Sequence, residues 1–101
     1  MIVYNITMKV EAAIEDDWVA WQKKEHIPEI MATGLFTDHK FYKLLDHSDE
    51  DGITYVAQYF AQSIDQFNNY ISNYSSVLRQ KALDRWGNKF ITFRTIMQSV
   101  D

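Results

Sequence analysis

Cysteine is absent from this chain of 101 residues, and proline and glycine are scarce, with one and three copies. The lack of cysteine excludes disulfides, thiolate metal sites and a thiol nucleophile, and it is compatible with a cytoplasmic protein. No apolar run approaches the ~18 residues that a membrane-spanning helix needs. The first residues alternate between apolar and polar side chains, which is not the pattern of a signal peptide. We therefore expect a cytoplasmic protein with no membrane partner.

The chain also has no excess of positive charge, because it contains 10 basic and 14 acidic residues and its formal net charge is -4. This balance argues against binding to a phosphate backbone, and no basic stripe accompanies the aromatic residues. Phosphate-binding loops, nucleotide fingerprints and Ser-His-Asp motifs are absent as well. His39 and His47 flank a predicted strand without a metal-binding spacing. We predict no cofactor, no metal and no nucleic-acid partner.

The chain does contain 47% apolar and 15% aromatic residues, enough for the core of one domain over residues 1–101. Ile14, Trp18 and Trp21 are four and three residues apart, so they share one face of a helix that we expect to cover a sheet. Pro28 removes an amide donor and clashes with the preceding turn. It predicts a kink or break around His26-Ile27 and a short second turn that ends at Gly34.

Alternation with a period of two predicts strands, and apolar spacings of three and four predict helices. The predicted order is strand Ile2–Val10, the helix from Ile14, strand Leu35–Leu45, a polar turn over Asp46–Gly52, strand Ile53–Ala61, a helix capped by Ser63 that runs to about Arg85 and stops at Gly87, and strand Phe90–Gln98. A βαββαβ order is typical of an α+β, ferredoxin-like sandwich, in which two helices cover one face of a four-stranded antiparallel sheet.

The other face of that sheet is predicted to be mixed, yet too apolar to remain in water. It would carry Val3, Asn5, Thr7, Val56, Gln58 and Phe60. Pairing with the same face of a second copy would cover it, so we predict a homodimer that forms an α/β barrel.

Motifs along the whole chain support this architecture by resemblance. The pattern MIVYNIT, then W-x-x-W-x-x-x-EHIPE-x-x-x-TG-x-F, TYVAQY and RWG-x-KF-x-x-FRT resembles a family of short bacterial proteins of unknown function. More distantly the chain is similar to the dimeric α/β-barrel superfamily, which includes cofactor-independent antibiotic-biosynthesis monooxygenases. The resemblance implies the fold and the dimer. Asn5 matches an asparagine of the haem-degrading members, but the second helix lacks their histidine, so no haem is assigned.

Glu25 and His26 are the residues with the greatest capacity for proton transfer. Adjacent residues on a regular helix diverge by about 100°, although a break could bring them together. His26 could act as a base near neutral pH, and burial would raise the proton affinity of Glu25. The structural alternative, which we favour, is that His26 caps carbonyl groups of the broken helix and Glu25 pairs with a lysine.

A ligand site could be formed by aromatic side chains between the helices and the sheet. Its candidate residues are Trp18, Trp21, Tyr4, Tyr55 and Tyr59. A closed aromatic core is the more common use of such residues. Arg94 lies in an apolar strand, where it either pairs with an acidic residue across the dimer, which we favour, or binds an anionic group.

Three functions remain open from the sequence. The first is a dimer that binds a small apolar or aromatic molecule without known catalysis. The second is a cofactor-independent monooxygenase or isomerase that uses His26 or Glu25 for proton transfer. The third is a structural or interaction module with no ligand. A cavity beside His26 would favour the first two, and dense packing there would favour the third.

Overall fold

A computed structural model describes residues 1–46 and 50–101 as one α+β sandwich. The strands are β1 (Ile2–Val10), β2 (Asp38–Lys43), β3 (Ile53–Ala61) and β4 (Phe90–Gln98). The helices are α1 (Glu15–Trp21), α2 (Ile27–Met31), α3 (Ile64–Asn73) and α4 (Ser75–Trp86), with a 3₁₀ turn over Ala12–Ile14 and a π-helical segment over Gln22–His26. The sheet has the order β2-β3-β1-β4, and every neighbouring pair is antiparallel. The predicted ferredoxin-like fold is confirmed.

The alternation of β1 decides which face of the sheet is covered. Every second residue from Ile2 to Val10 is buried, and the residues between them are half-buried. Across the sheet, Tyr4 pairs with Tyr59 and Met8 pairs with Tyr55, so these side chains share the face covered by the helices. The same register confirms that Val3, Asn5 and Thr7 lie on the outer face with Val56, Gln58 and Phe60.

Of the kink or break predicted around His26-Ile27, the break is wrong, because the chain stays helical from α1 to α2 through the π-helical segment. The amide of Ile27 donates to the carbonyl of Gln22, five residues back. The wider turn accommodates the proline, whose ring would clash with the carbonyl four residues back in a regular α-helix. It also shifts the inward face by one residue, so that His26 takes the position expected for Glu25, which is exposed.

The single second helix predicted from Ser63 is in fact two helices, α3 and α4, which meet at Tyr74. Tyr74 leaves the helical region with φ −128° and ψ −34°, and the Ser75 hydroxyl donates to the carbonyl of Ile71 at 2.9 Å. Serine and asparagine side chains compete with helical backbone bonds, which is the physical reason for a bend here. The predicted cap is confirmed, because the Ser63 hydroxyl accepts from the Gln66 amide. The predicted stop at Gly87 is also confirmed.

The second strand is shorter than predicted, since Leu35 and Phe36 belong to the connection that follows α2. Phe36 is nevertheless buried, with its ring 4.9 Å from that of Tyr70. The predicted turn over Asp46–Gly52 lies partly outside the described residues. His47 lies outside them as well. No helix in the described parts of the chain is long and apolar enough to cross a membrane.

Candidate functional site

A cavity of about 270 Å³ lies between the helices and the sheet, beside His26. Its floor is the middle of the sheet, where Ile6 pairs with Ala57, and Ala82 of α4 faces it from the helical layer. Two alanines at this level leave space that larger side chains would fill. The lining consists of Ile6, Met8, Gln22, His26, Ala57, Tyr59, Arg79, Ala82, Leu83, Phe90, Thr92 and Arg94.

A first aromatic cluster packs near the start of α1. The Trp18 side chain is fully buried, and its ring lies 5.3 Å from that of Tyr55 and 6.0 Å from that of Phe41. The Tyr55 hydroxyl donates to Glu15 Oε2 at 2.6 Å, and Lys43 Nζ lies 3.3 Å from the same oxygen. This hydrogen bond and the positive charge lower the pKa of Glu15. The network fixes the first turn of α1 to β2 and β3.

A second aromatic cluster surrounds Tyr4. The Tyr4 ring packs 5.2 Å from that of Phe67 and 6.4 Å from that of Tyr59. Burial raises the pKa values of Tyr59 and Tyr70, so both hydroxyls remain protonated at neutral pH. The row of Ile6 and Ala57 separates the two clusters, and the cavity lies over this row.

His26 forms part of the cavity wall through the π-helical segment. Its imidazole stacks on the indole of Trp21 with ring centroids 4.6 Å apart, and Trp21 meets Trp86 edge to face. Burial is the main cause that lowers the pKa of His26 to about 4, and the charges of Arg94 and Lys81 act in the same direction against Glu29. The imidazole is therefore neutral at pH 7 and can exchange a hydrogen bond with a ligand.

Two arginines, one on α4 and one on β4, place positive charge at the cavity. Arg79 of α4 is half-buried, and its guanidinium donates to the Tyr4 hydroxyl at 3.0 Å. Arg94 of β4 is opposite Ile6, on the face covered by the helices, and forms part of the cavity rim. Arg94 therefore does not lie on the outer face, and its predicted ion pair across a dimer stays a prediction.

The predicted site residues are only partly brought together. His26, Tyr59 and Arg94 line the cavity. Five other candidates do not line it, namely Glu25, which is exposed, and Trp18, Trp21, Tyr4 and Tyr55, which pack in the surrounding aromatic contacts. The single aromatic cleft expected from the sequence is thus two clusters with a partly polar cavity between them.

Sequence reasoning missed Gln22 and Arg79 as cavity residues, although the spacing contained a signal for both. Gln22 follows Trp18 by four residues and therefore shares its inward face. Arg79 is three residues before Ala82, and Ala82 is four before the buried Trp86. The apolar stripe of that helix continues from Leu78 to Ala82 and Trp86, and Arg79 lies beside it.

Solved structures with the same fold are numerous. A dimeric ferredoxin-like protein from an uncultured marine organism is 9% identical, with a TM-score of 0.70 over 99% of this chain and 95% of that one. SnoaB, a cofactor-independent oxygenase from Streptomyces nogalater, is 13% identical, with a TM-score of 0.64 over 99% and 93%. A monooxygenase from the gene ActVA-Orf6 of Streptomyces coelicolor, solved with nanaomycin D, is 15% identical, with a TM-score of 0.59 over 99% and 89%. At these identities the similarity shows the fold alone.

Comparison with curated protein sequences finds no significant match. The predicted resemblance to a family of unknown function is confirmed at the level of sequence. Residues 1–100 match the family described as Domain of unknown function (DUF4286), and since the match spans nearly the whole chain, the chain belongs to that family.

Proposed function

We propose that this domain is a homodimer in which each protomer binds a small apolar or aromatic molecule in the cavity beside His26. The observation that carries the proposal is the cavity itself, about 270 Å³ in volume and floored by Ile6, Met8 and Ala57. Apolar walls with a few convergent polar groups are the usual composition of a small-molecule site. Dense packing at this position would have favoured a module without a ligand.

The dimer is supported by the outer face of the sheet. Ile91, Phe93 and Met97 alternate along β4 and are 52%, 63% and 39% exposed. They continue the partly apolar surface formed by Val3 and Phe60. A contiguous apolar surface of this kind favours association, and the marine neighbour with this fold is dimeric. A bacterial origin and a location in the cytoplasm stay predictions.

Native mass spectrometry of the protein as purified tests the binding proposal. We expect a mass increment from a co-purified small molecule, which is released on denaturation. The variant Ala82→Leu adds volume inside the cavity and should lose the increment. The matched variant Ala13→Leu adds the same atoms at an exposed position and should keep it. Equal retention by both variants would show that the molecule binds elsewhere, and the proposal would then be wrong.

A second candidate function is proton transfer in a cofactor-independent monooxygenase or isomerase. The observation that favours it is a neutral imidazole, that of His26, on the wall of the cavity. This position favours His26 over the exposed Glu25 for the role. A fold neighbour is a cofactor-independent oxygenase, which supports the class of reaction only by analogy.

Oxygen consumption or isomerisation of quinol-like compounds tests this second function. His26→Ala should lower turnover by about 10²-fold or more, the usual contribution of general acid–base catalysis. Glu25→Ala is the matched substitution on the solvent side of the same helical segment. If both variants kept full turnover, the proposed proton transfer would be wrong for both residues.

A further inference from the structure

We propose that the ligand of the cavity is a small carboxylic acid with an apolar body, whose carboxylate is bound by Arg79 and Arg94. The inference rests on the proposed function, because it specifies the chemical class of the molecule that this cavity holds. Both arginines line the same space, one from α4 and the other from β4.

Neither arginine has an acidic partner in the part of the chain that the structure describes. In residues 1–46 and 50–101 the ion pairs are Lys43 with Glu15 and Lys81 with Glu29, and no carboxylate pairs with Arg79 or Arg94. Acidic residues are more numerous than basic ones, 14 against 10. A lack of carboxylates in the sequence therefore does not explain the unpaired arginines. Arg79 is half-buried, and removing a cation from water without a counter-charge is unfavourable, so an anionic ligand would offset that penalty there. Arg94 is exposed at the rim and would add a second positive charge beside the same anion.

The Arg79 side chain is only partly satisfied. One terminal nitrogen donates to the Tyr4 hydroxyl at 3.0 Å, which is a neutral acceptor. Its Nε is buried and has no acceptor within the described parts of the protein. A carboxylate presents two oxygens that match the parallel N–H groups of a guanidinium. This geometry favours a carboxylate over a neutral carbonyl group.

Gln22 provides a second, weakly satisfied donor in the same wall. Its side chain is buried, and its amide nitrogen lies 3.8 Å from the thioether sulfur of Met8. A thioether is a weak acceptor, so an oxygen atom of a ligand would be a stronger partner for this amide. Thr92 and the protonated Tyr59 hydroxyl add further possible donors along the lining. Among residues 1–46 and 50–101, no aspartate or glutamate lines the cavity.

Other residues of the lining are apolar, which indicates that the ligand has an apolar part and is not simply an inorganic anion. Ile6, Met8, Leu83 and Phe90 form part of the same lining. An apolar group of the ligand would be removed from water against these side chains, at roughly 25 cal/mol per Å² of buried apolar surface. One aromatic ring that bears a carboxylate combines both requirements at a size suited to about 270 Å³.

Isothermal titration calorimetry with three probes tests this inference on the full chain. Benzoate carries the ring and the charge, benzamide carries the same ring without the charge, and inorganic phosphate carries charge without the ring. We expect benzoate to bind at least about tenfold more tightly than benzamide, as one charge-assisted interaction of about 1.4 kcal/mol requires. Phosphate should bind more weakly than benzoate.

Variants then assign the difference to the two arginines. Arg94→Gln and Arg79→Gln should each remove most of the preference for benzoate over benzamide. Arg85→Gln is the matched control, because Arg85 lies over the Trp86 ring at 3.9 Å and does not line the cavity. Thermal unfolding of each variant checks that it is folded. A preference that persists in both folded cavity variants would overturn the assignment.

The remaining outcomes separate this inference from the proposed function. If benzoate and benzamide bind equally and Ala82→Leu abolishes both, the cavity binds apolar molecules but is not selective for acids, and only this inference is overturned. If phosphate binds as tightly as benzoate, the claim that the ligand has an apolar body is overturned. If no ring-bearing probe binds and no small molecule co-purifies with the protein, the proposed function fails together with the inference.

Discussion

The imidazole of His26 lies against the indole of Trp21, with ring centroids 4.6 Å apart and planes inclined by 19°. The two residues are five positions apart, and the π-helical segment Gln22–His26 brings them to the same side of the helix. In a regular α-helix that side would be occupied by Glu25, four positions after Trp21. The wider turn therefore exchanges a carboxylate for a neutral ring at the cavity wall.

This burial predicts that the stability of the protein depends on pH through His26. Its pKa is lowered to about 4 in the folded protein, against 6.5 for the ordinary side chain. Between these values the unfolded chain binds more protons, so the free energy of unfolding should rise with pH from about 4 to 6.5. The full difference is about 3 kcal/mol for this one group. Urea unfolding monitored at a series of pH values measures it.

Two variants isolate the contribution of His26. His26→Phe keeps a ring that can stack on Trp21 but cannot be protonated, so the rise over this pH window should become much smaller. His39→Asn removes an exposed histidine of β2 and should leave the rise in place. If the wild type and His26→Phe had the same pH dependence, the burial assigned to His26 would be incorrect.

A second prediction concerns the contact that fixes α1 to the sheet. Tyr55→Phe removes the hydroxyl that donates to Glu15 Oε2 at 2.6 Å while keeping the ring packed against Trp18. We expect a loss of about 1–3 kcal/mol in the free energy of unfolding at pH 7, as for other hydrogen bonds to charged groups. Chemical denaturation measures this loss. Tyr42→Phe removes a hydroxyl at an exposed position of β2 and should change stability little.

The hydrogen bond from Tyr55 to Glu15 also predicts how stability changes as the solution becomes acidic. The pKa of Glu15 is lowered chiefly by the Tyr55 hydroxyl, so the carboxylate stabilises the folded protein above its ordinary pKa of 4.5. This stabilisation is lost as pH falls through the lower folded value. The difference in stability between wild type and Tyr55→Phe should therefore shrink in strongly acidic solution. A difference independent of pH would mean that the bond does not distinguish the two forms of Glu15.

A third prediction follows from the backbone before β3. Gly52 has φ +128°, and a Cβ atom built there would lie 2.7 Å from the carbonyl oxygen of Val10. Gly52→Ala should lower the free energy of unfolding by more than about 2 kcal/mol, because an unfavourable φ and a backbone clash act together. Gly34→Ala is the control, since its φ is +77° and a Cβ there has no neighbour within 4 Å. Equal losses from the two substitutions would contradict the proposed clash.

The architecture could be predicted because it depends on local periodicity. The alternation in β1 gives its bounds and buried face, and the spacing of Ile14 and Trp18 gives the inward face of the first helix. Connections between neighbouring elements are short and crossovers between strands are right-handed, so few ways to connect the elements remain. The cavity could not be predicted in this way. It exists because Ala57 of β3 and Ala82 of α4 face each other, and no local pattern brings these distant residues together.

Only part of the site could be predicted, because some of its residues are not distinguished by a local pattern. Arg94 stood out because a charge in an apolar strand is unusual, whereas Arg79 lay in a helix where charged residues are common. The choice between Glu25 and His26 depended on how the helix passes Pro28. A proline can break a helix or be accommodated by a wider turn, and the packing of Trp21 on Trp86 of α4 is a tertiary interaction that favours the second.

A fourth prediction tests the dimer through its outer sheet face. Phe93 is 63% exposed and lies opposite Thr7, near the middle of the face that β1 and β4 share. In a dimer paired through this face, Phe93→Glu would bury an unpaired carboxylate, which costs several kcal/mol for each protomer. We expect light scattering at micromolar concentration to give the mass of two chains for the wild type and of one chain for Phe93→Glu. Ile64→Glu adds the same charge at an exposed position of α3 and should remain dimeric, because α3 lies on the opposite side of the sheet. A wild-type protein with the mass of one chain, or a Phe93→Glu variant with the mass of two, would contradict pairing through this face, since neither result is compatible with a buried Phe93.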